Sequence, residues 1–153
     1  MIRKILSTGD DRVALLLRLV LGAVMFPHGA QKMLGWFGGY GFSGSMGFFT
    51  QQLHIPAFFG VLAIIAEFFG SLALLAGFAT RVAAAGILTN MIVAVLTVHA
   101  SIGFFMNWTG QQAGEGFEYH LLAMAIAVAL IIRGGGTASL DRALSRGPAK
   151  THE

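Results

Sequence analysis

Four stretches of this chain, about 12–34, 56–78, 81–103 and 117–133, are apolar over roughly the 20 residues that a helix needs to cross a bilayer core. A backbone in hydrocarbon must satisfy its own N–H and C=O groups, which leaves only helices and closed barrels. None of the four stretches shows the two-residue alternation of a barrel strand. The expected fold is therefore an all-α integral membrane protein, a four-transmembrane-helix antiparallel bundle. Composition agrees: 56% hydrophobic and 11% charged residues, with a mean hydropathy of +0.73, leave too little polar surface for a water-soluble domain. At 153 residues there is room for one domain, read as 1–140, followed by a polar tail at 141–153.

Basic residues at the segment ends set the orientation. Arg3, Lys4 and Arg12, then Arg81, then Arg133, Arg142, Arg146 and Lys150 all fall on one side, whereas Lys32 stands on the other with Glu115 and Glu118. This predicts both termini in the cytoplasm and a bacterial inner-membrane location. Asp10 and Asp11 follow the basic start and no small-x-small cleavage site appears, so the N-terminus reads as retained. The net charge of +3 is dispersed, which argues against nucleic acid as a partner. Zero cysteines exclude disulfides, thiolate metal sites, CxxCH haem attachment and a thiol relay, so any redox chemistry needs a bound cofactor or a partner.

The link GFATR is short enough to be a tight turn with Gly77 as a helix C-cap. The long connection after the first span is rich in glycine and phenylalanine. Within it SGSMGFFTQQL reads as a short interfacial helix capped near Ser43, with Phe48 and Phe49 toward lipid. The MNWTGQQAGEG loop is expected on the same face.

Ionisable groups inside spans are costly and point to function or to buried pairs. At 1.5 Å per residue, Arg18 lies about 9 Å, Glu67 about 16 Å and Asn90 about 13 Å from the cytoplasmic ends of their spans. They share one slab, and Glu67 sits on a stripe of small residues (Gly60, Ala63, Gly70) suited to helix contact. The reading is an Arg18–Glu67 pair with Asn90 nearby, either structural or proton-handling. A second cluster lies toward the other surface: His28 and Lys32, one turn apart beside Pro27, with His99, Glu118 and His120 at similar depth. Such groups can bind and exchange protons with the carbonyl oxygens of a quinone, while aromatic and methionine walls hold its ring. Haem between His28 and His99, or a metal on the histidines and Glu118, is disfavoured. The bland readings are a snorkelling Lys32 and a water-facing His120; helical spacing also sets Glu118 and His120 on nearly opposite faces, so only one should point inward. His54 and His152 receive no role.

These segments, LLLRLVLGAVMFPHGAQKMLGWFGG, AEFFGSLALLAGFATRVAA, VHASIGFF, GFEYHLL and SLDRAL in that order, resemble the DoxX family of small bacterial membrane proteins. The matching positions are Arg18, His28, Gly29, Lys32, Glu67, Gly77, His99 and Glu118; His120, Asn90 and GQQAGEG fall outside the pattern. The resemblance implies a four-helix inner-membrane protein linked in some members to quinone-dependent oxidation. The expected role is a membrane subunit of a quinone-linked oxidoreductase system, with quinone as ligand, lipid around it and oxidoreductase subunits as partners. One rival is a small transporter using Glu67, Arg18 and Asn90, dimeric through Ala83 and Gly86. The other is a ligand-free scaffold that recruits cytoplasmic enzymes through its basic tail.

Overall fold

The computed structural model describes residues 6–145 and, among them, contains helices and no strand. Helix α1 spans Arg12–Leu34 and is followed by a 3-10 turn at Trp36–Gly38. Helix α2, Gly41–Gly47, winds on through a π-turn at Phe48–Gln52. Helix α3 covers Ala57–Ala76; α4 covers Thr80–Ala94 and runs into a π-turn at Val95–His99. Helix α5 is Glu118–Arg133 and the short α6 is Leu140–Ser145. The predicted basic residues Arg3, Lys4, Arg146 and Lys150, and His152, lie outside the described residues.

The long helices close into a ring, α1 on α3, α3 on α4, α4 on α5 and α5 on α1, with α2 folded against α1. Leu21, Met25, Leu74, Ile87 and Leu130 fill its centre. Large apolar side chains such as Leu16, Phe58, Leu96 and Ile132 point outward, the inverse of what water would select and what lipid favours. Three helices are long and apolar enough to cross a membrane: Arg12–Leu34, Ala57–Ala76 and Thr80–His99. Helix α5, at 16 residues, spans about 24 Å.

The closest helix contact is between α1 and α3. A Cβ built on Gly29 would lie 2.6 Å from Phe68 Cα and 2.9 Å from the Glu67 carbonyl carbon, so only glycine lets the two backbones meet there. One turn later α1 carries Lys32. Gly22 makes a similar approach to Ser71 and Leu75, and these contacts fix the register: residue 29 is level with 67–68 and residue 22 with 71–75. Arg18 is consequently level with the end of α3, not with Glu67.

That register overturns the predicted Arg18–Glu67 pair. Arg18 is 2% exposed, and its guanidinium donates to the carbonyls of Leu74 (3.0 Å), Leu75 (2.6 Å), Gly135 (2.9 Å) and Ala138 (2.8 Å). The last turn of a helix leaves carbonyls without N–H partners. On α3 Arg18 supplies a donor to the Leu75 carbonyl and adds a second to that of Leu74, which also accepts from Gly77 N, and it ties in the segment that follows α5. The depth estimate failed because it started every span at one level, whereas α1 begins well beyond the turn at Gly77. Asn90 is also apart from Glu67's carboxylate, donating to the Ala63 carbonyl at 2.7 Å.

The turn into α4 lacks its own cap. Ala79 has φ +46° and no capping side chain, and Asp141 of α6 supplies one, accepting from Ala79 N (2.6 Å) and Thr80 N (2.9 Å). The division drawn at residue 140 therefore falls within α6, whose Asp141 is 1% exposed. At the same end Arg81 donates to the Ile131 and Ile132 carbonyls, and Arg133 pairs with Asp11. Two smaller expectations also change. Ser43 is inside α2 and does not cap it, and Phe49 packs toward Gly60 instead of facing lipid alone. Gly86 packs on Ala66 and the Ala83 carbonyl faces Gly70, so the surface assigned to a dimer lies within the bundle.

Two outcomes follow from these contacts. Gly29→Ala should lower stability by about 1–3 kcal/mol, because the clashing atoms are backbone and cannot yield; thermal unfolding in detergent against Gly47→Ala, where a Cβ meets nothing, measures it. Asp11 caps α1, and the hydrogen bond from Ala14 N, then the Arg133 guanidinium, hold its carboxyl below the usual range. Its folded value being depressed, its contribution is full above about pH 4 and is lost as pH falls through that lower value. Melting temperatures recorded from neutral to acid pH should fall less steeply for Asp11→Ala than for the native chain.

Candidate functional site

The register that separates Arg18 from Glu67 brings Lys32 to it. Side chains on a helix lean toward its N-terminus, so Lys32, three residues past Gly29, reaches back to the level of Glu67. Its ammonium lies 2.8 Å from Glu67 Oε1, with the lysine side chain 30% exposed and the glutamate 7%. The bland reading of Lys32 as a snorkelling anchor is thereby replaced by an ion pair set into an apolar bundle. The same ammonium stands 3.5 Å from the His28 carbonyl, a weak contact, which leaves N–H capacity unused.

From this pair a line of titratable rings crosses to α5. His28 is exposed at the seam of α1 and α5 rather than buried inward, and its ring centroid is 6.2 Å from that of Tyr119. Tyr119 is 5.5 Å from His120, and His120 is 4.1 Å from His99. His99 Nδ1 donates to the Glu115 carbonyl at 2.7 Å, since a carbonyl can only accept, and the neutral ring then keeps a lone pair on Nε2. His120 is 7% exposed, and its Nδ1 has no hydrogen-bond partner. The ring that meets His99 is thus His120, and the pairing of His28 with His99 considered for haem is not formed. Among the described residues no group of three histidine, aspartate or glutamate side chains is placed to hold a metal ion.

Glu118 does not join this line. The opposition of faces expected from helical spacing holds: His120 turns inward, while Glu118 Oε1 accepts from Met106 N at 2.8 Å and Trp108 Nε1 at 3.2 Å in the preceding loop. The five residues predicted to line one chamber are therefore divided between Lys32 and His28 at one side, the His99–His120 contact in the middle and Glu118 at the far side.

Two cavities flank the line. One, of about 270 Å³, lies where α1 ends and the long connection folds back; Lys32, Gln31, Ser45, Tyr40, Phe48 and Phe49 surround it. Ser45 is on the wall of this space, and its hydroxyl makes no hydrogen bond to another described residue. The other, of about 550 Å³, is bounded by Phe104, Met106, Trp108, Glu118, Tyr119 and Leu122. Tyr119 borders it with its ring only, because its hydroxyl is turned to Met25 Sδ at 3.4 Å.

Tyr119, Ser45 and the Lys32–Glu67 pairing were not anticipated from the sequence. The pairing was within reach, since Gly22 and Gly29 mark the face on which α1 approaches another helix and Gly60, Glu67 and Gly70 mark the complementary stripe. Ser45 and Tyr119 carry no such signal; their relevance comes from how the connections fold.

Comparison with known proteins identifies the family of the chain. The family model described as DoxX matches residues 13–100, which hold Arg18, His28, Gly29, Lys32, Glu67 and His99. A protein of Bacillus subtilis (strain 168) named "Putative oxidoreductase CatD" is 30% identical over 116 residues, covering 76% of each chain. No solved structure gives a significant match. With more than half its length matched by the family model and a relative aligned over three quarters of both chains, this protein belongs to the DoxX family.

Proposed function

We propose that this chain is an inner-membrane subunit of a quinone-linked oxidoreductase system, and that the cavity beside Lys32 holds the ring of a quinone-like lipophile. The observation that carries this reading is the donor set at one cavity: a lysine with N–H capacity beyond its ion pair, and a serine on the cavity wall whose hydroxyl bonds no other described residue. Both donate to acceptor oxygens, and a ring carbonyl is such an acceptor. The Lys32–Glu67 pair is neutral as a unit, which favours a neutral carbonyl over an anion that would also meet the carboxylate. Phe48, Phe49 and Tyr40 supply ring-sized apolar walls, and about 270 Å³ is slightly below the ~300 Å³ at which drug-sized pockets begin, suited to one ring.

A bound quinone would supply two-electron redox chemistry together with proton uptake. The residues of this chain would hold and orient it and exchange protons: Lys32 at the carbonyl, Glu67 as its neighbouring acceptor, and His28, Tyr119, His120 and His99 as the line of titratable groups beyond. Electrons would come from a partner subunit. The name of the Bacillus subtilis relative supports an oxidoreductase setting. In this reading all four long helices span the inner membrane with both termini cytoplasmic, in keeping with Arg12, Arg81, Arg133 and Arg142 at one end and Lys32 at the other. A transport path finds less support, because Arg18 and Asn90 are engaged by backbone carbonyls.

Lys32→Met should strand a buried carboxylate and destabilise the protein by about 2–3 kcal/mol, below the 3–5 typical of fully buried pairs because Lys32 is partly exposed. Adding Glu67→Gln should restore most of that loss in a double-mutant cycle of melting temperatures. For binding, a short-tailed benzoquinone titrated into detergent-purified protein should saturate one site. Ser45→Ala should weaken it about 3- to 10-fold, the loss of one neutral hydrogen bond. Absence of saturable binding, or an affinity indifferent to Ser45→Ala, would refute the quinone assignment.

A further inference from the structure

The larger cavity has the opposite chemistry. Its donors are all engaged: Met106 N and Trp108 Nε1 both point at Glu118 Oε1, and the Tyr119 hydroxyl is turned away to Met25. What remains available is an acceptor, the carboxylate of Glu118. No lysine, arginine or histidine forms an ion pair with that carboxylate among the described residues; the ion pairs there join Lys32 to Glu67, Arg133 to Asp11 and Arg142 to Asp10. Around it stand the rings of Trp108, Phe104 and Tyr119, with Trp108 84% exposed. A carboxylate without a counter-ion in a wall of aromatic rings suits an organic ammonium, which ion-pairs with the carboxylate and packs its carbon substituents on the rings.

The rest of the cavity indicates what carries that ammonium. At about 550 Å³ it is far larger than an amine needs, and Leu121 and Leu122, both exposed, continue its wall along the outward side of α5 among apolar side chains. An amphipathic cation fits: polar at Glu118, hydrocarbon along the leucines. We propose that this cavity is a binding site for the ammonium headgroup of an aminophospholipid, with Glu118 as ion-pair partner and the Phe104, Trp108 and Tyr119 rings as its aromatic wall. The primary amine of an ethanolamine lipid suits it best, since its N–H groups can donate to the second carboxylate oxygen of Glu118, which accepts no hydrogen bond within the described residues. This site lies on the other side of the histidine line from the Lys32 cavity and does not depend on the quinone reading.

Native mass spectrometry of the full chain in detergent, with equimolar phosphatidylethanolamine and phosphatidylglycerol of identical acyl chains, tests the proposal. The native chain should retain the ethanolamine lipid at least about 5-fold over the glycerol lipid. Glu118→Gln keeps an amide oxygen for Met106 N and Trp108 Nε1 but removes the charge, so the preference should collapse toward one while the melting temperature stays near native. Leu122→Lys leaves Glu118 in place and offers it an internal ammonium; it should abolish the preference even if Glu118→Gln disturbs the loop. Equal retention of both lipids by the native chain, or a preference untouched in both variants, would overturn the proposal. Displacement of the lipid by an equal concentration of soluble phosphoethanolamine would overturn the lipid assignment in favour of a soluble amine.

Discussion

The near-contact of α1 and α3 at Gly29 is the constraint on which the rest of the site depends. With no Cβ at that position the helix backbones come together beside Glu67, and Lys32 is brought within 2.8 Å of a carboxylate that would otherwise be buried without a cation. The same contact sets the register of α1 against α3 over its whole length. It therefore fixes both the site at one end and the placement of Arg18 at the other, a coupling of fold to site through one missing methyl group.

At the Arg18 end the structure addresses a general difficulty of helices in lipid. Terminal carbonyls have no intrahelical partner and, away from water, no solvent partner either. Arg18 and Arg81 meet this with side chains whose several N–H groups reach carbonyls on more than one element. Asp141 makes the reciprocal provision for the N–H groups that open α4. These residues read as charges in the sequence but act as caps. A lysine in place of Arg18 would present three donors from a point rather than a planar fork and could not serve Leu74, Leu75, Gly135 and Ala138 together.

The apolar segments were legible because hydropathy over 20 residues is a property of composition alone, and three of the helices meet the length and apolarity of a span as expected. Which polar groups meet was not legible to the same degree. Depth counted from segment ends assumes a common starting level, and α1 violates that assumption by overrunning the Gly77 turn; Glu67 was therefore matched to Arg18 when its partner was Lys32. The separation of Glu118 from His120 was correctly anticipated from helical periodicity, because both lie on one helix and no inter-helix register enters. Ser45 and Trp108 belong to connections, where local sequence does not determine what the chain folds against.

The arrangement that results is asymmetric in a way that matters chemically. The Lys32 cavity has donors in excess, the Glu118 cavity has an acceptor in excess, and the two are separated by four rings, of which His120 has an unsatisfied nitrogen and His99 is held in one tautomer by the Glu115 carbonyl. Because Glu115 and Glu118 lie in the segment that leads into α5, the His99 ring, the Trp108 side chain and the start of α5 are held by one short stretch of chain. A ligand that orders Trp108 against Glu118 therefore acts on the same segment that positions His99. The energetic consequence can only be as large as the ligand's difference in affinity between arrangements of that segment. Two contacts join the loop to the line of rings: His99 meets Glu115 and His120, and the Tyr119 ring borders the Glu118 cavity beside Trp108, so communication between the two cavities has both routes.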